Sequence, residues 1–150
     1  MELNPHDWQK YAFFDDYKNY TRNLIATDHE TFTLLLLCWT PNKESPIHDH
    51  PCDGCWVKVL EGQVRECRYK HMDDTLVCFQ DETFAEGELS FIQDSQGYHK
   101  IGNPSLSERA VTLHLYCPPF AQCKIWLDET KPSSKSCVCF YSEYGQKVEY

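Results

Sequence analysis

The stretch SPIHDHPCDGCW, residues 45–56, gathers side chains that bind metals and carry redox chemistry. His48 and His50 stand two apart. On a β-strand, residues i and i+2 point to the same face, so an H-x-H pair aims two imidazoles at one point, as a metal ion requires. A bare H-x-H also fits two unrelated surface histidines. Cys52 and Cys55 stand at C-x-x-C spacing in the same stretch. Three chemistries therefore compete: a closed zinc site, a redox dithiol and an open catalytic iron site. A closed zinc site needs a second pair of cysteines or histidines. Cys137 and Cys139 are the candidates, and their C-x-C spacing inside SCVCFY reads better as core thiols of a strand. A thioredoxin-like dithiol needs a strand–helix–strand context, which the sequence lacks. Glycine-rich phosphate loops and a nucleophile-elbow motif are absent as well.

Further parts lie downstream. Gly62 follows Cys55 by seven residues, and GELSFIQDSQGYHKIGN ends with His99 and Asn103, with three residues between them. Together with His48 and His50 these resemble the two sequence motifs of the cupins. Gly87 precedes His99, but the second motif's proline and inner glycine are not where the pattern places them. Cys55 stands where most cupins have a glutamate ligand. What remains is a set of three histidines, His48, His50 and His99. Three ligands on one face resemble the facial triad of non-heme Fe(II) oxygenases with the carboxylate replaced by a neutral imidazole. The missing negative ligand leaves room for an anionic thiolate substrate.

LHLYCPPF, residues 113–120, places His114 and Tyr116 two apart. With YTRNL (20–24), LCW (37–39), IHDH (47–50), Cys55, KVLEG (58–62) and His99–Asn103, the chain resembles the cysteine dioxygenases, thiol dioxygenases of the cupin superfamily, over nearly its whole length. The resemblance implies iron, Fe(2+), held by His48, His50 and His99. It implies a thioether crosslink between Cys55 and Tyr116, with the tyrosine hydroxyl beside bound substrate and His114 hydrogen-bonding that tyrosine. Arg22 matches the family's anchor for the substrate carboxylate, a role suited to a guanidinium that binds carboxylates bidentately. Tyr20 resembles a second contact to the same carboxylate, and Asp49 and Trp39 look like supporting residues. Two residues before His114 stands Thr112 where animal members carry serine; both offer a hydroxyl. Cys52 is an additional thiol. The implied reaction converts L-cysteine and O2 to cysteine sulfinic acid, which stops at the sulfinic rung of thiol oxidation. Other readings are a dioxygenase for 3-mercaptopropionate, a non-catalytic cupin that binds a metal or thiol, and a zinc hydrolase or isomerase on the same fold.

The elements that must position these residues are mostly strands. Residues 6–20 place Trp8, Tyr11, Ala12 and Asp15 at helical steps and predict a short amphipathic helix. Short β-friendly runs follow at 31–39, 55–62, 63–70, 75–80, 86–92, 99–103, 110–118, 123–128 and 136–144, separated by Gly, Pro, Asn or Asp. Glu61–Gly62 reads as a hairpin turn and 128–136 as a loop. Without strand–helix alternation, a mainly β antiparallel jelly-roll barrel is predicted, with a short N-terminal helical segment. One cupin-type domain, 1–150, is expected. Family members carry further helical sequence before the segment that begins here, and that sequence is expected to be missing.

Composition agrees. In 150 residues, 41% hydrophobic and 14% aromatic content is sufficient for one packed core. The net charge of −9 and the lack of a basic stripe argue against nucleic acid. The longest apolar run, Leu34 to Trp39, is far short of a membrane span. No basic-then-apolar leader opens the chain, so the cytosol is the expected compartment and the nine cysteines read as thiols. Cys38 and Cys78 are expected in the core, and His6, His29 and His71 in solvent. The expected partners are a small thiol and O2, with the protein a monomer.

Overall fold

The computed structural model describes residues 3–148. A single helical turn, α1 (Pro5–Trp8), leads into a 3-10 turn (Gln9–Tyr11). Thirteen strands follow among the described residues: β1 (Tyr20–Thr27), β2 (Thr33–Trp39), β3 (Ile47–His48), β4 (Gly54–Glu61), β5 (Gln63–Met72), β6 (Thr75–Ala85), β7 (Leu89–Ile92), β8 (Tyr98–Gly102), β9 (Ala110–Cys117), β10 (Gln122–Trp126), β11 (Ser134–Cys137), β12 (Ser142–Glu143) and β13 (Gln146–Lys147). They form two sheets, ordered β13-β12-β1-β2-β9-β4-β7 and β11-β10-β3-β8-β5-β6. This is the jelly-roll arrangement expected, built as two facing sheets rather than one closed barrel.

β2 explains how the larger sheet is packed. Its sequence TLLLLCW has no polar alternation because both faces are covered. Leu35, Leu37 and Trp39 turn inward and join Val57, Val59, Ile101 and Ala110 between the sheets. Leu36 and Cys38 turn outward and meet Trp8 and Val111, with Tyr11, Ala12 and Phe14 around them. The N-terminal segment is thus the cover of the outer face. Full burial of a side chain such as Leu36 is worth about 1.5–3 kcal/mol.

Several expectations are corrected. The helix predicted over 6–20 ends within two turns. Ala12 is already extended, and the Phe13 carbonyl accepts a 2.5 Å hydrogen bond from the Thr21 hydroxyl instead of continuing a helix. Asp15 then caps a turn by accepting from the Tyr17 N–H, a local bond that competes with helix. The hairpin predicted at Glu61–Gly62 does not form. β4 pairs with β7 and β9, whereas β5 pairs with β6 and β8, so the chain crosses from one sheet to the other at this point. Gly62 makes that corner at φ +73°, and a Cβ there would lie 2.6 Å from the Arg109 carbonyl oxygen. Alternation identifies a strand but not its partner. The run 136–144 is not one strand: β11 and β12 lie in opposite sheets. Cys78, Cys137 and Cys139 are exposed, not core. Leu76, two residues earlier on β6, is buried, whereas Cys78 is exposed. β1 was not anticipated as a strand. Cys38 is buried and His6, His29 and His71 are exposed, as expected. No helix among the described residues is long and apolar enough to cross a membrane.

Candidate metal centre

The inner faces of the two sheets supply different chemistry. The smaller sheet brings the three histidines together. His48 on β3 lies directly opposite His99 on β8. His50 lies just beyond the end of β3, so the H-x-H pair is only partly on a strand. Its position is fixed from outside: the Asp94 carboxylate accepts its N–H at 2.7 Å, and Asp49 exchanges two bonds with the β10 backbone at Lys124 (2.7 and 3.1 Å). The three rings sit 4.4–4.8 Å apart, with one ligand atom from each within 4.8 Å of the others. This is the metal-capable cluster of the described residues.

The donor set fits a transition-metal ion. His48 Nε2 and His99 Nε2 approach to 3.2 Å around a shared centre. Burial depresses all three imidazoles: His48 to about 4, His50 and His99 well below the usual value, with neighbouring histidines adding to the effect on the latter two. All three are therefore neutral at pH 7 and offer lone pairs. Neutral imidazoles suit iron, zinc and copper alike. His48 Nδ1 meets the Pro46 carbonyl at 2.9 Å, while His50 Nδ1 is buried without a hydrogen-bond partner.

The larger sheet faces this cluster with the other predicted residues. Cys55 on β4 and Tyr116 on β9 are directly opposed across a ladder, a relation that places Cβ atoms about 5 Å apart. Both are buried, and burial raises the thiol and the phenol well above their ordinary values, with Cys55 adding to the effect on Tyr116. The Tyr116 ring lies 6.4 Å from His50. His114 is buried, and burial, helped by nearby His48 and Arg22, pushes its pKa down to about 3. Its hydrogen bond runs to Thr112 (2.7 Å), not to Tyr116, which it meets edge to face at 6.1 Å. Trp39 donates its indole N–H to the same Thr112 hydroxyl at 2.9 Å. An indole can only donate, so the threonine oxygen accepts from Trp39 while its hydroxyl also bonds His114 Nε2. The substitution of threonine for serine keeps the relay.

Arg22 and Tyr20 complete the inner face. The guanidinium donates to the Tyr20 hydroxyl at 3.1 Å, and the Tyr20 ring packs on Trp39 at 4.7 Å. Both line a cleft of about 580 Å³ bounded by Pro46, Phe140, Tyr141 and Val148. Cys52 is half-buried with its thiol toward the Gly54 carbonyl, at the edge of the core that contains Cys55. Asn103, read with His99 as motif, instead shapes a loop: its side chain donates to the Glu108 carbonyl and accepts the Ser105 N–H.

Two residues escaped the sequence reading. Phe120 walls the site, 4.8 Å from the Tyr116 ring and 6.4 Å from that of His50. Glu66, 2% exposed, accepts from His99 Nδ1 at 2.6 Å. The signal for Glu66 was its parity. It alternates in phase with Val64, an inward-facing residue, so a carboxylate was due to face the core.

Comparison with known proteins follows the same lines. The family model described as "Cysteine dioxygenase type I" matches residues 1–129. Cysteine dioxygenase type 1 of Danio rerio is 38% identical over 99% of this chain and 76% of its own length. The Rattus norvegicus protein of the same name is 36% identical with the same coverage, and the Homo sapiens protein 37% identical over 96% of this chain and 73% of its own. Among solved structures, a conserved protein with a double-stranded β-helix domain from Klebsiella pneumoniae superposes with a TM-score of 0.63 at 14% identity, covering 81% of this chain and 88% of that one. A cupin-2 domain protein from Shewanella frigidimarina gives 0.54 at 19%, covering 77% and 93%. At those identities the structures speak to the fold alone.

Proposed function

The chain belongs to the cysteine dioxygenase type I family, and from that premise we propose that it oxidises L-cysteine with O2 to cysteine sulfinic acid at an Fe(II) centre. The observation that carries the reading is the convergence of His48, His50 and His99 beneath the opposed pair Cys55 and Tyr116. His48, His50 and His99 would hold the iron, and among the described residues no carboxylate belongs to that cluster. When bound, iron supplies coordination of the thiolate and activation of O2.

The chain's own residues account for the rest. Arg22 receives the substrate carboxylate in charge-assisted hydrogen bonds, with the Tyr20 hydroxyl beside it. Tyr116, kept protonated by burial beside Cys55, presents an O–H donor above the centre. The Trp39–Thr112–His114 relay fixes the imidazole that abuts the tyrosine ring. Phe120, beside the rings of Tyr116 and His50, helps to exclude water. The cross-strand opposition of Cys55 and Tyr116 supports a thioether between them, whose formation removes two hydrogens with O2 as the oxidant during turnover. The reading includes a reducing, cytosolic compartment, where nine free thiols persist.

Oxygen uptake by the Fe(II)-loaded protein, with sulfinate measured by mass spectrometry, tests this. One sulfinate per O2 with L-cysteine, and no uptake by the zinc-loaded protein, is expected. Faster turnover of 3-mercaptopropionate would reassign the substrate. Iron bound without oxidation of either thiol would make the protein a binding cupin.

A further inference from the structure

A buried carboxylate is costly unless its oxygens are paired, and Glu66 meets that condition in a specific way. Its Oε1 accepts from Arg68 Nε at 3.0 Å and from the Ser90 hydroxyl at 2.9 Å. Arg68 is itself fixed, donating through Nη2 to Ser90 Oγ (3.1 Å) and to the Phe91 carbonyl (2.6 Å). The carboxylate therefore cannot rotate, and Oε2 is presented to His99 Nδ1 alone. Arg68 lies directly opposite His99 across the β5–β8 ladder, so both strands set the register of this contact.

The three histidine arms differ accordingly. His99 is backed by a carboxylate, His48 by the Pro46 carbonyl, and His50 Nδ1 by nothing. A metal-ligating histidine whose other N–H meets a carboxylate is fixed in tautomer and ring orientation and is a stronger donor.

We infer that Glu66, clamped by Arg68 and Ser90, is a positioning residue that makes His99 the dominant metal-holding arm of the site. It acts through His99 and touches neither metal nor substrate. The inference rests on the metal-site reading above.

Two variants test it. E66Q/R68M removes the charge pair together, so that no buried guanidinium is left unpaired. E66D keeps the charge but withdraws the carboxylate from Nδ1 by one methylene. For each, the melting temperature of the metal-free protein and the Co(II) affinity, by anaerobic competition with a chromophoric chelator, are compared with wild type. The expected result for E66Q/R68M is a melting temperature near wild type with Co(II) affinity 10- to 100-fold weaker and an altered Co(II) ligand-field spectrum. E66D weakens affinity in the same direction. Affinity within twofold of wild type in either folded variant overturns the inference alone. Failure of the wild-type protein to bind Co(II) overturns the metal-site reading and this inference with it.

Discussion

The proposed substrate anchor is a single guanidinium, and its role can be isolated from the rest of the site. Arg22 donates to the Tyr20 hydroxyl and contacts no other site residue by hydrogen bond among those described. Hydrogen bonds to charged groups contribute about 1.5–3 kcal/mol, so Arg22→Ala is expected to raise KM for L-cysteine by about 10- to 100-fold while kcat changes less. Initial-rate measurements check this, and a thiol lacking a carboxylate should show no such loss. A second test concerns the opposed pair. Intact mass after turnover should fall by two hydrogens, mapped by peptide analysis to Cys55 and Tyr116, and Tyr116→Phe should abolish the change. The ligands and this pair were legible because H-x-H, the replaced glutamate and LHLYCPPF are local patterns. Glu66 was not, because a glutamate in a strand is ordinarily exposed; only its phase with Val64 marked it. The orphaned His50 Nδ1 was invisible for a different reason, since a missing partner is a property of packing.

Individual elements were easier to read than their partners. β9 was anticipated almost to the residue, because AVTLHLYC alternates and is bounded by turn-forming neighbours. The crossing at Gly62 was read as a hairpin, since both outcomes present two alternating runs joined by a glycine. Which one forms depends on residues far away, here Arg109 and Ala110 pressing on the corner. Gly62→Ala tests that account. A side chain there faces both φ +73° and a carbonyl oxygen at 2.6 Å, so destabilisation of about 1–3 kcal/mol is expected from urea titration. The N-terminal turn makes a comparable prediction. Trp8 is buried against Leu36, Cys38 and Val111, and Trp8→Ala should cost about 3–5 kcal/mol. A loss below 1 kcal/mol would mean that the segment does not cover the outer face.

At the scale of the molecule, the site lies between two sheets that contribute unequally. His48 and His99 belong to the smaller sheet, with His50 just beyond the end of β3, while Arg22, Tyr20, Cys55 and Tyr116 belong to the larger one. The Cys55–Tyr116 pair joins β4 to β9 within one sheet, so a thioether there would not tie the two sheets together. A bound substrate, held by the metal on one side and by Arg22 on the other, would. The interior between the sheets also sets the acid response. His114 has its pKa pushed down to about 3 by burial, below the ordinary value near 6.5. The unfolded chain therefore takes up this proton first as pH falls. Stability is full above about 6.5 and declines as pH drops toward 3, by on the order of 2 kcal/mol at pH 5 from this group. The urea midpoint of the metal-free protein should accordingly be lower at pH 5 than at pH 7.5.

The strand that carries Arg22 has a further consequence, in the order of synthesis. β1 gains one neighbour, β2, almost at once, but its other neighbour is β12, in parallel register. Asn23 is satisfied by Ser142, 119 residues later, and the Arg22 carbonyl by the Tyr141 N–H. A nascent chain on the ribosome can thus assemble most of the histidine cluster while the strand bearing the guanidinium still has an open edge. The cleft lined by Arg22 closes only once Tyr141 and Ser142 have emerged, so its wall is completed well after the strands that carry the histidines.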